Sequence, residues 1–264
     1  MKKYASIFTL LLLLTGCGQA DENDVEFQSV DIDQTVKLAN EENSPMCSVH
    51  LNMTYATAAN GHKAEVINGH INDKLLGQQP DGSVENAAKL FAEEYTKRYK
   101  TTLLSLYNQD RADSTKRAWY EYHYVITTST QTGSKNTIAY LATVDYYEGG
   151  AHSTNQLLPM NFEAKTGRLI KLEDIFVDGY EMELTKVLLQ ALYEKTGTKT
   201  VAQLQEKGYL KPMSMYPTEN FILGDETITF VYNPSEIAAY DLGATELIIP
   251  YNKLEKIIRN SFEY

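Results

Sequence analysis

The chain is short of cysteine, of basic charge and of long apolar runs, and each shortage removes a class of function. Two cysteines in 264 residues exclude a disulfide-stapled miniprotein. With 24 Lys and Arg against 35 Asp and Glu, the formal charge is −11, so the basic patches that sequence-independent nucleic-acid binding requires are lacking and no nucleic-acid partner is expected. The apolar run from Tyr4 to Leu14 is too short to cross about 30 Å of hydrocarbon as a helix. G-x-S-x-G, P-loop, G-x-G-x-x-G, H-E-x-x-H and C-x-x-C motifs are absent. His50, His62, His70, His123 and His152 are too scattered to suggest a metal site, so neither a metal nor a cofactor nor a catalytic residue is assigned. No Pro-, Gly- or Ser-rich run marks a linker. What remains is a globular composition, 43% hydrophobic and 22% charged, in a chain long enough to bury a large core.

The N-terminus carries an address. Lys2 and Lys3 precede the apolar run, and Leu14-Thr15-Gly16-Cys17 follows it. This order resembles the lipobox of bacterial lipoproteins and implies a signal peptide over 1–16, cleaved before a lipidated Cys17. At about 0.8 kcal/mol per buried methylene, several acyl chains would hold the protein at a membrane without a spanning helix. Residues 17–25 read as a disordered acidic tether. Asp21, Glu22 and Asp24 resemble the export signal of surface-displayed lipoproteins and equally suit a solvated linker. The expected location is the bacterial cell envelope, at the outer membrane, with surface exposure as an option. Cys47 would then be the remaining thiol, expected to be buried and structural because an apolar strand follows it.

Periodicity outlines the body. Val49, Leu51, Met53 and Tyr55 alternate with polar residues, a half-buried strand, with a shorter neighbour around Val25 to Ile32. Between Ser83 and Tyr107, Val84, Ala88, Phe91, Tyr95, Tyr99, Leu103 and Leu106 recur at helical steps, with Ser83 as cap. The opposite face, including Lys89, Glu93, Glu94, Lys97, Arg98 and Lys100, reads as solvated. Strands follow at Trp119 to Thr130, Ile138 to Tyr146 and Asn155 to Phe162, an antiparallel meander whose first turn is Gln131 to Asn136. A helix through Leu184, Leu188 and Leu192 ends at Gly197, and a short one follows at Val201 to Leu204. Strands return at Phe221 to Leu223, Ile228 to Tyr232 and Glu246 to Ile249, before a final helix from Asn252 to about Phe262. Helices and strands come in blocks, so the expected class is α+β, antiparallel sheets with helices packed on them, in two small adjoining modules over 26–110 and 111–264. The boundary falls in the polar stretch Asn108 to Lys116.

One string stands out. Tyr147-Glu148-Gly149-Gly150-Ala151-His152 ends a strand, and its paired glycines allow a sharp corner. Tyr147, Glu148 and His152 are the candidate binding residues, with Gly149 and Gly150 as the structural corner. The alternative is that the glycines only make the bend and His152 bonds to buried backbone. Nineteen tyrosines suit sheet packing, and an exposed cluster of them would suit a binding face.

At this corner the sequence resembles the paired extracytoplasmic modules of the RsiV-type lysozyme-sensing anti-sigma factors and PdaC-type peptidoglycan deacetylases. The resemblance runs through Tyr147 to His152, Asn161-Phe162-Glu163, Thr166-Gly167, Leu172-Glu173-Asp174-Ile175-Phe176, Phe230-Val231-Tyr232-Asn233-Pro234, Glu236 to Tyr240, Gly243 and Ile249-Pro250-Tyr251. It covers about Asn136 to Leu254. Over Ser48 to Tyr107 it extends only to the strand-then-helix layout. The sensing proteins have a membrane-spanning helix where this chain has a lipoprotein signal, and the deacetylases add a catalytic domain with metal motifs that this sequence does not supply. Ser235 and Ala239 depart from the usual aromatic residue and proline of that family. The resemblance implies a non-catalytic envelope binding module, with lysozyme or peptidoglycan as partner. The alternative is a glycan hydrolase or deacetylase-like enzyme using paired carboxylates, Glu148 among them.

Overall fold

The computed structural model describes residues 25–77, 83–133, 136–211 and 213–262. Cys17, the signal peptide and all of the acidic tether except Val25 lie outside the described residues, as do Ser134 and Lys135 of the first meander turn.

The first strands, β1 (Phe27–Lys37) and β2 (Met46–Ala56), pair antiparallel over their full length. Cys47, Val49, Leu51 and Met53 alternate inward from β2 and are fully buried, which the period of two requires. Two helices follow, α1 (His62–Leu76) and α2 (Val84–Asp110), and both pack against β2. They form the long crossover that a parallel connection needs. Accordingly β3 (Tyr122–Thr132) lies parallel to β2, with Cys47 opposite Tyr122 and Leu51 opposite Ile126. Then β4 (Thr137–Tyr147), β5 (Thr154–Glu163) and β6 (Leu169–Ile170) continue antiparallel, giving a six-stranded sheet in chain order. Ser83 caps α2 by accepting from the Asn86 amide.

The second core is built from α3 (Leu172–Ile175), α4 (Glu181–Thr196) and α5 (Val201–Glu206) with an antiparallel three-stranded sheet. Its strands are β7 (Phe221–Leu223), β8 (Thr227–Tyr232) and β9 (Thr245–Pro250). Leu184, Leu188 and Leu192 of α4 are buried with Ile228 and Phe230 of β8, each contributing about 1.5–3 kcal/mol by burial. Gly197 closes α4 in the left-handed region, as its position after the last periodic leucine predicts.

The class is α+β in two adjoining modules, as expected, with one parallel pair inside the larger sheet. Three local expectations change. The two hydrophobic cores divide between Ala164 and Ile170 and not at 108–116, because parallel pairing with β2 draws the whole meander into the first sheet. Helix α1 corresponds to no expectation: Asn68 and Asn72 occupy two of its buried positions and weaken its apolar period. The C-terminal segment is not a helix: Val177 donates to Ile257 and Ile258 pairs with Phe176, so its backbone is committed to the strand-like edge of the second core after a single 3-10 turn at Tyr251–Lys253. The 3-10 turn at Ser114–Tyr120 likewise delays the start of β3.

Two buried asparagines join the cores. The Asn161 amide on β5 donates to Phe221 O at 2.7 Å and accepts from Leu223 N at 3.0 Å, both on β7. The Asn233 amide, just after β8, accepts from Leu157 N at 2.8 Å and donates to Leu157 O at 3.2 Å on β5. An amide side chain carries both a donor and an acceptor, so it can substitute for a missing ladder partner on an edge strand.

Candidate functional site

The corner sits where β4 ends. Gly149 and Gly150 have φ of +82° and +107°, a region that L side chains rarely enter. A Cβ on Gly149 would lie 3.2 Å from the Trp119 carbonyl, while Gly150 faces open space. The Tyr147 hydroxyl closes the turn by donating to Gly150 O at 2.8 Å. Close approach of Gly149 to the Trp119 backbone turns Glu148 back toward α2.

Glu148 there meets Arg98 at 3.6 Å in a partly exposed ion pair. Arg98 also lies over the Tyr95 ring, 5.1 Å from its centroid. Tyr95, Tyr99 and Tyr122 complete a small hollow of about 140 Å³ with Thr102, Leu103, Arg98 and Glu148. Spacing explains this: Tyr95, Arg98, Tyr99 and Thr102 stand at helical steps of three and four and so share one side of α2. The tyrosines are locked by ring contacts, Tyr99 with Tyr122 at 5.3 Å and Tyr95 with Tyr124 at 5.1 Å. Burial, and after it the Glu148 carboxylate, push the Tyr95 hydroxyl well above the usual phenol range. Although Glu148 is near enough to exert this effect, the buried Tyr95 hydroxyl makes no hydrogen bond of acceptable geometry among the described residues.

Cys47 lies in this neighbourhood, opposite Tyr122 in the sheet. Burial first, then the Glu148 charge, push its thiol up to about 12, which keeps it protonated and unreactive at neutral pH.

The three candidate binding residues do not converge. Tyr147 stacks toward His123, whose Nε2 is 2.6 Å from Asp145, and Glu148 faces α2. His152 turns the other way and stacks on Tyr240, centroids 4.9 Å apart, while the Tyr240 hydroxyl donates to Ser153 O at 2.6 Å. The corner therefore reaches side chains of both modules. Arg98, Tyr95, Tyr99 and Tyr122 escaped sequence reasoning as site residues, and the available signal was Arg98 beside the tyrosines of the apolar stripe.

A second hollow, about 250 Å³, opens at the seam between the cores, where His70, Asp73 and Lys74 of α1 approach Lys171, Glu173 and Glu219. Burial raises the Glu219 carboxyl, partly opposed by its bond from Leu172 N at 3.4 Å. Burial likewise lowers His70, partly opposed by Asp73. No group of three His, Cys, Asp or Glu side chains among the described residues is arranged to hold a metal ion. No described helix is long and apolar enough to cross a membrane.

No curated protein matches the chain. Among solved structures, a member of the DUF3298 family from Bacteroides fragilis NCTC 9343 is similar at 28% identity and a TM-score of 0.84, covering 91% of this chain and 96% of that one. A DUF3298 family protein from Pseudomonas aeruginosa PAO1 shares the fold, with a TM-score of 0.62 at 16% identity, covering 91% of this chain and 97% of that one. Residues 173–252, which span most of the second core and leave the 147–152 corner outside, match the family model described as protein of unknown function (DUF3298).

Proposed function

We propose that this protein is a cell-envelope lipoprotein, held at a membrane through Cys17, whose module pair is a non-catalytic binding unit for a cationic protein such as lysozyme or for peptidoglycan. The observation that carries the reading is the corner hollow: it is small, lined by tyrosines, and Glu148 is the one carboxylate among its described lining residues. Such a surface suits recognition better than hydrolysis, which needs two carboxylates about 5 to 9.5 Å apart across a cleft. The RsiV-type and PdaC-type resemblance supplies the partner class, and the net charge of −11 would steer a basic protein toward the body. Calorimetry with lysozyme and with an equally basic, size-matched control protein tests it. One-to-one heat for lysozyme alone at 0.15 M salt is expected; equal heats that vanish together as salt rises would refute recognition.

The alternative of an envelope glycan hydrolase draws on the seam, where Asp73, Glu173 and Glu219 line one hollow and Glu219 is biased toward the protonated form that a general acid requires. Release of soluble glycan fragments from purified peptidoglycan, abolished by Glu219→Gln, would favour it over binding.

A further inference from the structure

We propose that the hollow formed by Tyr95, Tyr99, Tyr122 and Glu148 is a receptor for one cationic side chain of a partner, and that Arg98 of this chain occupies the cation position until the partner displaces it. The inference rests on the binding reading above and names the chemistry its partner must present.

Four observations converge. A guanidinium already sits over the Tyr95 face at 5.1 Å, so the hollow has a cation-π position that this chain itself fills. The same guanidinium pairs with Glu148 at 3.6 Å, with the two side chains 66% and 43% exposed. An ion pair so placed is weak and easily exchanged for another. The Tyr95 residue is only 3% exposed, lines the hollow, and its hydroxyl is unsatisfied among the described residues. The Glu148 carboxylate nearby favours the phenol proton, so the lone pairs of the hydroxyl are what an incoming ammonium or guanidinium N–H would meet. With Arg98 in place as part of the lining the hollow is about 140 Å³, near that of a cavity that holds a benzene-sized group, so its scale suits the head of a lysine or arginine.

The arrangement is also firm where it needs to be. Gly149 packs so close to the Trp119 carbonyl that a Cβ there would lie 3.2 Å from it, and the Tyr99 hydroxyl is anchored to Tyr120 O at 2.8 Å. Arg98, by contrast, has a long side chain that is 66% exposed. It can swing out while the cage stays in place.

The test uses the protein without its leader, with tyrosine rings labelled for NMR, titrated with n-butylammonium and with n-butanol as the neutral control. Wild type, Arg98→Ala and Glu148→Gln are compared, each checked for an unchanged thermal midpoint. Ring signals of Tyr95, Tyr99 and Tyr122 should move with butylammonium more than with butanol. Removing the internal competitor in Arg98→Ala should tighten butylammonium binding about threefold to tenfold. Glu148→Gln should abolish the preference for the cation. Equal response to cation and alcohol in wild type, or no tightening in Arg98→Ala, would overturn the proposal. If lysozyme fails to bind but Arg98→Ala still gains affinity for butylammonium, the function reading fails and the cage stands. If lysozyme binds while butylammonium leaves the rings unmoved, the cage falls and the function reading stands.

Discussion

The seam between the cores and the corner at 147–152 both bring distant segments together, but with opposite materials. At the seam, Asn161 and Asn233 are 2% and 3% exposed and bond main-chain groups of the facing strand at 2.7 to 3.2 Å. The two Asn161 bonds are fully buried and the two Asn233 bonds partly so, and breaking either of the Asn161 bonds leaves an orphaned polar group. At the corner, Arg98 and Glu148 meet at 3.6 Å in the open, where water replaces either partner at little cost. The difference separates what holds this molecule together from what is available to another molecule. A contact that water already competes for is one that a ligand can take over.

The largest expected effect tests the seam. Asn161→Ala removes both bonds to β7 and leaves Phe221 O and Leu223 N buried without partners, so it should lower unfolding stability by about 2–4 kcal/mol in denaturant titration. A loss below about 0.5 kcal/mol would mean that the cores are joined mainly by apolar contact, and the contrast with the corner would collapse.

The strand beside the corner responds to pH. Cys47 has a folded pKa of about 12 against 9.0 for an unperturbed thiol, so the folded state retains its proton where the unfolded chain loses it. With the folded value raised for an acid that becomes anionic, the stabilising protonated form is complete below pH 9 and stability falls as pH rises from 9 toward 12. By pH 11 the loss from this group is roughly 2–3 kcal/mol, and Cys47→Ala should flatten the curve by about that amount. The same thiol should resist alkylation at pH 8 until the protein is unfolded; rapid labelling of the native state would contradict its burial.

Gly149→Ala should cost about 1–2 kcal/mol, since it combines a positive φ with a tight approach to the Trp119 carbonyl, while Gly150→Ala, positive in φ but unobstructed, should cost about 1 kcal/mol or less. Equal midpoints for the two variants would remove the case that close approach at Gly149 aims Glu148. The smallest effect belongs to Arg98→Ala, whose exposed pair should change stability by less than about 0.5 kcal/mol. A larger loss would make Arg98 a structural element and weaken its role as a displaceable occupant.

What the residues alone determined follows from short-range physics. The steps of three and four in α2 and α4, the alternation of β2 and β4, the left-handed glycine after α4 and the paired glycines of the corner are all readable because each depends on neighbours within a few positions. The α+β class and the existence of the corner followed from them. Where polar residues take buried positions, that legibility fails: Asn68 is buried on α1 because its amide bonds both main-chain groups of Ala56, an arrangement visible only once β2 is in place. Only the tertiary structure decided that β3 runs parallel to β2, that the C-terminal segment pairs with Phe176 in place of forming a helix, and that Arg98, still solvated, faces Glu148. Each of these depends on a partner far away in the chain, and a backbone group or a charge carries no mark of which distant partner will satisfy it.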